Sequence, residues 1–193
     1  MTNLSKYKIL GVDPGTNLLG YALLEVHSKK LTPLEMGVIN LKKLDDHHVK
    51  LKHIHLRLTQ IIKAHNPKYM AVEAPFYGKN VQSMLKLGRA QGVAIAAAMV
   101  QDIEVSEYAP KRIKQSITGN GNASKEQIAR TLELIYKINF DKHYLDSSDA
   151  LAAAVCHYNA LNNPIAGLKS KTDWSSFVEK HQDRIVKPIK GQR

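Results

Sequence analysis

Lys8 to Asp13 (KILGVD) is a short, mostly apolar run that stops at Pro14-Gly15. A run of that length closed by a Pro-Gly pair predicts a buried strand. Residues 19–27 (LGYALLEVH) and 34–41 (LEMGVINL) predict two more strands. A tight turn joins the first to the second, and Ser28-Lys29-Lys30 joins the second to the third, as in an antiparallel meander. The period then changes. Over residues 46–65, Leu51, Ile54, Leu58, Ile61 and Ile62 recur at the spacing of an amphipathic helix, which Asn66-Pro67 ends.

Tyr69 to Glu73 (YMAVE) predicts a fourth strand and Ile103 to Tyr108 a fifth. Between them, residues 80–100 predict a helix with Asn80 as its N-cap. Pro110 opens a short helix to about Ile117, and Gly119-Asn120-Gly121-Asn122 is a loop. Ser124 and Gln127 form a capping box for a helix to about Lys137. Residues 146–161 form a last helix, apolar almost all round, which predicts that it packs on the sheet. The order βββαβαβααα predicts a mixed α/β domain over residues 1–163. Residues 164–193 read as a basic tail, with at most one short helix around Trp174, Phe177 and Val178.

The 193 residues suffice for one domain with a sizeable core and are too few for two full lobes. Lys and Arg exceed Asp and Glu by 28 − 17 = +11, which favours a polyanionic partner, nucleic acid first and an acidic membrane second. The single cysteine, Cys156, excludes an intrachain disulfide and reads as a core filler. No apolar run approaches 18 residues, and the N-terminus lacks a signal-peptide pattern. These features predict a soluble cytoplasmic protein. Nine histidines invite a zinc site. However, His47-His48 are adjacent and His53/His55 are two apart on a predicted helix, so neither pair shares a face.

Four carboxylates stand out against this background. Asp13 ends the first strand and Glu73 ends the fourth, each after apolar residues. Asp146 and Asp149 lie three apart at the start of the last helix and share one face. Singly, each has an ordinary reading: Asp before Pro-Gly forms turns, and Asp at a helix start caps it. Jointly, four acids at one sheet edge repel one another, and burying them is costly unless something compensates. A pair of divalent cations removes that repulsion, and all-oxygen ligands select Mg²⁺ or Mn²⁺ over Zn²⁺. Two such ions about 3.5–4 Å apart suit phosphodiester hydrolysis. Asp13-Pro14-Gly15-Thr16 also resembles the phosphate-binding opening of actin-like ATPases and sugar kinases, but those need two lobes.

Four segments in order, ILGVDPGTNLLGYALLE, AVEAPFYGKNVQSMLKLGRAQGVAIAAA, SEYAPKRIKQSITGNGNASKEQI and LDSSDALAAAVCHYNA, closely resemble the RuvC Holliday-junction resolvases over residues 8–162. That resemblance implies an RNase H-like fold, with a five-stranded mixed sheet flanked by helices. It implies a homodimer that nicks two strands of a four-way DNA junction symmetrically with Mg²⁺, for which Mn²⁺ can substitute. It makes Asp13, Glu73, Asp146 and Asp149 the catalytic and metal-binding acids, with two ions per subunit. It also implies work alongside a branch-migration motor, RuvA with RuvB. Relatives acting on RNA and a non-catalytic junction binder remain as alternatives.

Phe76, three residues past Glu73, either fills the core or stacks on an unpaired base at the crossover. The resemblance implies the second. Lys111, Arg112 and Lys114 cluster on the short helix, and Lys125 follows the Gly-Asn-Gly-Asn loop, whose glycines let backbone N–H groups approach a phosphate. The resemblance implies that Lys114 and Lys125 contact DNA near the scissile phosphate. As the first residue of a helix, Lys125 opposes the dipole, a conflict that a nearby phosphate would relieve. Gly88, Gly92 and Ala96 recur every four residues. They either pack on the chain's own sheet or, as the resemblance implies, form the dimer interface. His143 lies one turn before Asp146 and reads as a surface residue or a neighbour of the acids.

Overall fold

A computed structural model describes residues 6–75, 80–140 and 145–162. Phe76, His143 and the tail from 164 lie outside these residues. The elements are β1 (Tyr7–Asp13), β2 (Leu18–His27), β3 (Lys30–Asn40), α1 (His47–His65), β4 (Tyr69–Glu73), α2 (Val81–Met99), β5 (Glu104–Tyr108), α3 (Pro110–Thr118), α4 (Lys125–Tyr136) and α5 (Asp146–Leu161). One sheet has the order β3-β2-β1-β4-β5. β1, β2 and β3 pair antiparallel, and β4 and β5 run parallel to β1. This is a mixed α/β sheet of the RNase H-like kind.

The third strand starts at Lys30, not at residue 34 as the sequence predicts. Proline is tolerated because β3 is an edge strand. The register shifts between Leu23, opposite Glu35, and Leu24, opposite Pro33, so Leu34 bulges out of the ladder. Ser28 and Lys29 both take left-handed backbone (φ 52° and 67°) between the paired His27 and Lys30. That is a two-residue hairpin turn formed without glycine. The predicted caps form: Asn80 accepts from the Ser83 amide (3.0 Å), and the Ser124–Gln127 box closes in both directions; α1 is capped by Asp46, which accepts from the Val49 amide (2.9 Å).

Strand alternation sorts the core into two layers. Leu10, Val12, Met70 and Val72 pack with α1 and α2. Ile9, Ala71 and Tyr108 pack with α3, α4 and α5 on the other face. α5 is buried from Ser147 through His157. Two glycines let its backbone lie on the sheet: a β-carbon at Gly11 would run into the Ala150 carbonyl, and one at Gly20 into the Asp146 carbonyl. Cys156 is buried in this layer, as is His157, whose Nδ1 pairs with the Tyr108 hydroxyl at 2.8 Å. α2 buries Ala90, Gln91, Ala94, Ala97 and Ala98. A β-carbon at Gly88 or Gly92 would meet nothing within 4 Å, so the glycine stripe does not pack on the chain's own sheet. No helix among the described residues is long and apolar enough to cross a membrane.

Candidate active site

Asp13 and Glu73 are the last residues of two adjacent parallel strands, so both stand at the carboxyl edge of the sheet. That edge is where open α/β sheets place their ligands. By alternation from Ile9 and Ala71, both belong to the face that carries α5. Gly20 pairs with Asp13 in the β1–β2 ladder, and the Asp146 carbonyl lies over Gly20. The first turn of α5 is thereby set directly above Asp13. Asp13, Asp146 and Asp149 each offer a carboxylate oxygen, and these three oxygens lie within 4.8 Å of one another. Glu73 is not part of that trio. It shares a cavity of about 150 Å³ with Asp13, Pro14, Ala74, Pro75, Leu87 and Gln91.

Gln91 is a site residue that the sequence reading passed over. Buried on α2, it donates from Nε2 to the Glu73 carbonyl (3.4 Å) and to the Glu107 carboxylate. It ties α2 to the ends of β4 and β5. The available signal was one long polar side chain on the buried face of an alanine-rich helix.

Burial and like charge leave the cluster short of positive charge. Burial, then Glu73 and Asp149, push the Asp13 carboxyl well above the usual range. Burial and Asp149 push Glu73 up to about 7, although Lys125 and Lys114 pull it back. Burial also raises Asp149, against the opposing hydrogen bond from Lys125. An all-carboxylate donor set under this repulsion fits a hard divalent cation.

Lys125 Nζ sits 2.6 Å from Asp149 Oδ2 and 3.4 Å from Asp146 Oδ1. Burial works against its charge, but the hydrogen bond and charge of Asp149, with Asp13 and Asp146, hold its pKa above the ordinary lysine value. Here the acids offset the helix-dipole conflict that the sequence reading assigned to a phosphate. Lys114 Nζ donates to the Ala123 carbonyl at 2.9 Å, and its charge reaches Glu73 and Asp149. The Gly-Asn-Gly-Asn loop departs from expectation. The Asn120 and Asn122 amides donate to Thr118 Oγ1 (3.1 Å) and Asn120 Oδ1 (3.0 Å), so these two are already engaged within the loop. Gly119 instead supplies the left-handed cap of α3 (φ 74°), and Gly121 makes room for Lys111.

Fold and site together define an RNase H-like protein with a carboxylate cluster at the carboxyl edge of its sheet. Residues 9–157 match the family model described as crossover junction endodeoxyribonuclease RuvC. A protein of that name from Porphyromonas gingivalis is 51% identical over 181 residues, covering 92% of this chain and 96% of that one. Another, from Cytophaga hutchinsonii, is 51% identical over 177 residues, covering 92% and 87%. The solved structure of Thermus thermophilus RuvC in complex with Holliday junction substrate superposes with a TM-score of 0.72 at 27% identity, covering 79% of this chain and 93% of that one. The chain belongs to the RuvC family.

Proposed function

We propose that this protein is a crossover junction endodeoxyribonuclease that resolves Holliday junctions by paired, symmetric nicks. It would act in recombination and repair, in the cytoplasm, alongside RuvA and RuvB. The observation that carries the reading is the convergence of Asp13, Asp146 and Asp149 within 4.8 Å, in a chain of net charge +11. Asp13, Glu73, Asp146 and Asp149 would hold two Mg²⁺ ions. Bound divalent cations supply activation of water and stabilisation of the leaving 3′ oxygen, leaving 5′-phosphate ends. The chain's own residues do the rest. The acids fix where positive charge collects. Lys114 and Lys125 hold the backbone beside them, and Phe76 keeps the crossover open. Incubation with a synthetic four-way junction in Mg²⁺ or Ca²⁺ tests this: paired nicks in Mg²⁺, in preference to duplex DNA or RNA, are expected. Tight binding without nicking would leave only a junction-binding protein.

The acid cluster gives a pH-dependent metal effect with a definite sign. Glu73 ionises near 7 in the fold and near its ordinary value of 4.5 when unfolded. Its contribution to metal-free stability is therefore full below about 4.5 and lost as pH rises through 7. Asp13 and Asp149 are shifted in the same direction. Mg²⁺ binding requires the ionised forms. At a hundredfold excess over Kd it stabilises by about 2.7 kcal/mol at pH 8, or roughly 5–10 °C for a domain of this size. The gain should shrink toward zero by pH 5. Taking the difference between Mg²⁺ and EDTA melts at each pH cancels the opposite effect of His157, whose pKa burial lowers. A gain that does not change with pH would contradict the cluster's assigned role.

The open face of α2 is the proposed dimer contact. Leu85 (54% exposed) flanks Gly88 and Gly92 there, and an isologous pair would present two active sites to a two-fold junction. A β-carbon at Gly92 meets nothing within 4 Å, so Gly92→Leu should convert dimer to monomer without lowering the monomer's stability. Sedimentation velocity reads the mass. A dimer that survives the substitution would place the interface elsewhere.

A further inference from the structure

α1 carries no aspartate or glutamate in 19 residues, whereas Lys50, Lys52, Arg57 and Lys63 lie on it together with five of the chain's nine histidines. Its apolar side, Ile54, Leu58, Ile61 and Ile62, is buried against the sheet. Lys52, Arg57 and Lys63 are exposed along its length. Among the described residues, the ion pairs on α1 use only histidines: His48 with Asp46 at 3.6 Å and His65 with Glu35 at 2.8 Å.

The basic surface starts at the rim of the acid cluster. Lys50 Nζ donates to the Thr16 carbonyl (3.1 Å) and to Asn17 Oδ1 (3.3 Å), in the turn that follows Asp13. Lys86 and Arg89 of α2 come close enough to act on His47. Burial first, then these two, His48 and Lys50, disfavour its charged form. Two helices thus bring like charges together at one end of α1, and α1 carries the charge onward. Its length, about 28 Å at 1.5 Å per residue, matches about eight base pairs at 3.4 Å per phosphate along a strand. This face belongs to the α1–α2 layer, on the opposite side of the sheet from the α3–α4 layer of Lys114 and Lys125.

We propose that the exposed face of α1 is a second DNA-binding surface, which holds the phosphate backbone of a duplex arm leaving the junction. This rests on the nuclease reading above and adds to it: the α3–α4 side grips DNA beside the scissile phosphate, whereas α1 grips an arm about a turn away. Contacts of this kind set register and affinity without reading sequence.

The test combines Lys52→Gln, Arg57→Gln and Lys63→Gln in the full-length protein and measures junction affinity against salt by fluorescence anisotropy. Each lost phosphate contact lowers the slope of log K against log salt by about 0.9. The triple variant should therefore lose about two to three units of slope per protomer, with weaker binding at 0.15 M salt. A second junction carries uncharged methylphosphonates on its arms, four to twelve base pairs from the crossover. The parent protein and the variant should bind that junction equally. Cleavage at saturating protein should be unchanged, and thermal melts should coincide. An equal loss on both junctions, or no loss on either, as a protein-docking role for α1 would give, overturns the proposal. Failure of the parent protein to bind or cleave either junction would overturn the nuclease reading, and this inference with it.

Discussion

Asp146→Asn is expected to abolish strand cleavage and to leave junction binding intact. Asp146 offers one of the three oxygens that lie within 4.8 Å, and an amide keeps its shape while removing its charge. A divalent cation supplies several kcal/mol of charge stabilisation to phosphodiester cleavage, and each 1.36 kcal/mol is tenfold in rate. A fall on the order of 10³-fold or more in single-turnover rate follows. The fold should hold, because Asp146 is only partly buried and its backbone, which lies over Gly20, is unchanged. Lys125 keeps its shorter contact to Asp149 at 2.6 Å. Binding should be retained or slightly strengthened, since one negative charge leaves a surface that meets phosphates. Gel-shift and single-turnover assays on one junction separate the two outcomes. Cleavage near the parent rate would remove Asp146 from the site, and loss of both activities would make its role structural.

The fold was legible wherever local physics decided it. The caps at Asn80 and Ser124 need only a side-chain oxygen and the amides that follow. The buried helix at 146–161 announced itself by having no polar side. The start of β3 was not legible, because Pro33 argues against a strand until Leu34 is seen to bulge and β3 to lie at the edge. At the site, Asp13, Glu73, Asp146 and Asp149 could be picked out as charges following apolar runs. Their grouping could not. It depends on Gly11 and Gly20, unremarked in the sequence, which set the height of α5 above the sheet. Gln91 was hidden for a similar reason: its partners, the Glu73 carbonyl and Glu107, are 18 and 16 residues away and meet it only through the tertiary fold. The Gly-Asn-Gly-Asn loop misled, because glycines that suit a phosphate also suit a helix cap and a packed lysine stem.

Gly20→Val tests that seating directly. The β-carbon of valine at this position would run into the Asp146 carbonyl and crowd the Ser147 amide, both main-chain groups that cannot rotate away. The first turn of α5 must lift, taking Asp146 with it, away from Asp13, the ladder partner of Gly20. Misplacing a reacting group by about 1 Å costs roughly 10²-fold in rate, so cleavage should fall at least that far. Forced overpacking costs about 1–3 kcal/mol, and at roughly 2–4 °C per kcal/mol the melting temperature should drop by about 2–12 °C. Gly11→Ala gives the matching control. Its β-carbon meets the Ala150 carbonyl, one helical turn past Asp146, so stability should fall similarly while the folded fraction keeps more of its activity. If Gly20→Val melts and cleaves like the parent, α5 is not held by contact at Gly20, and the grouping of Asp13 with Asp146 needs another cause.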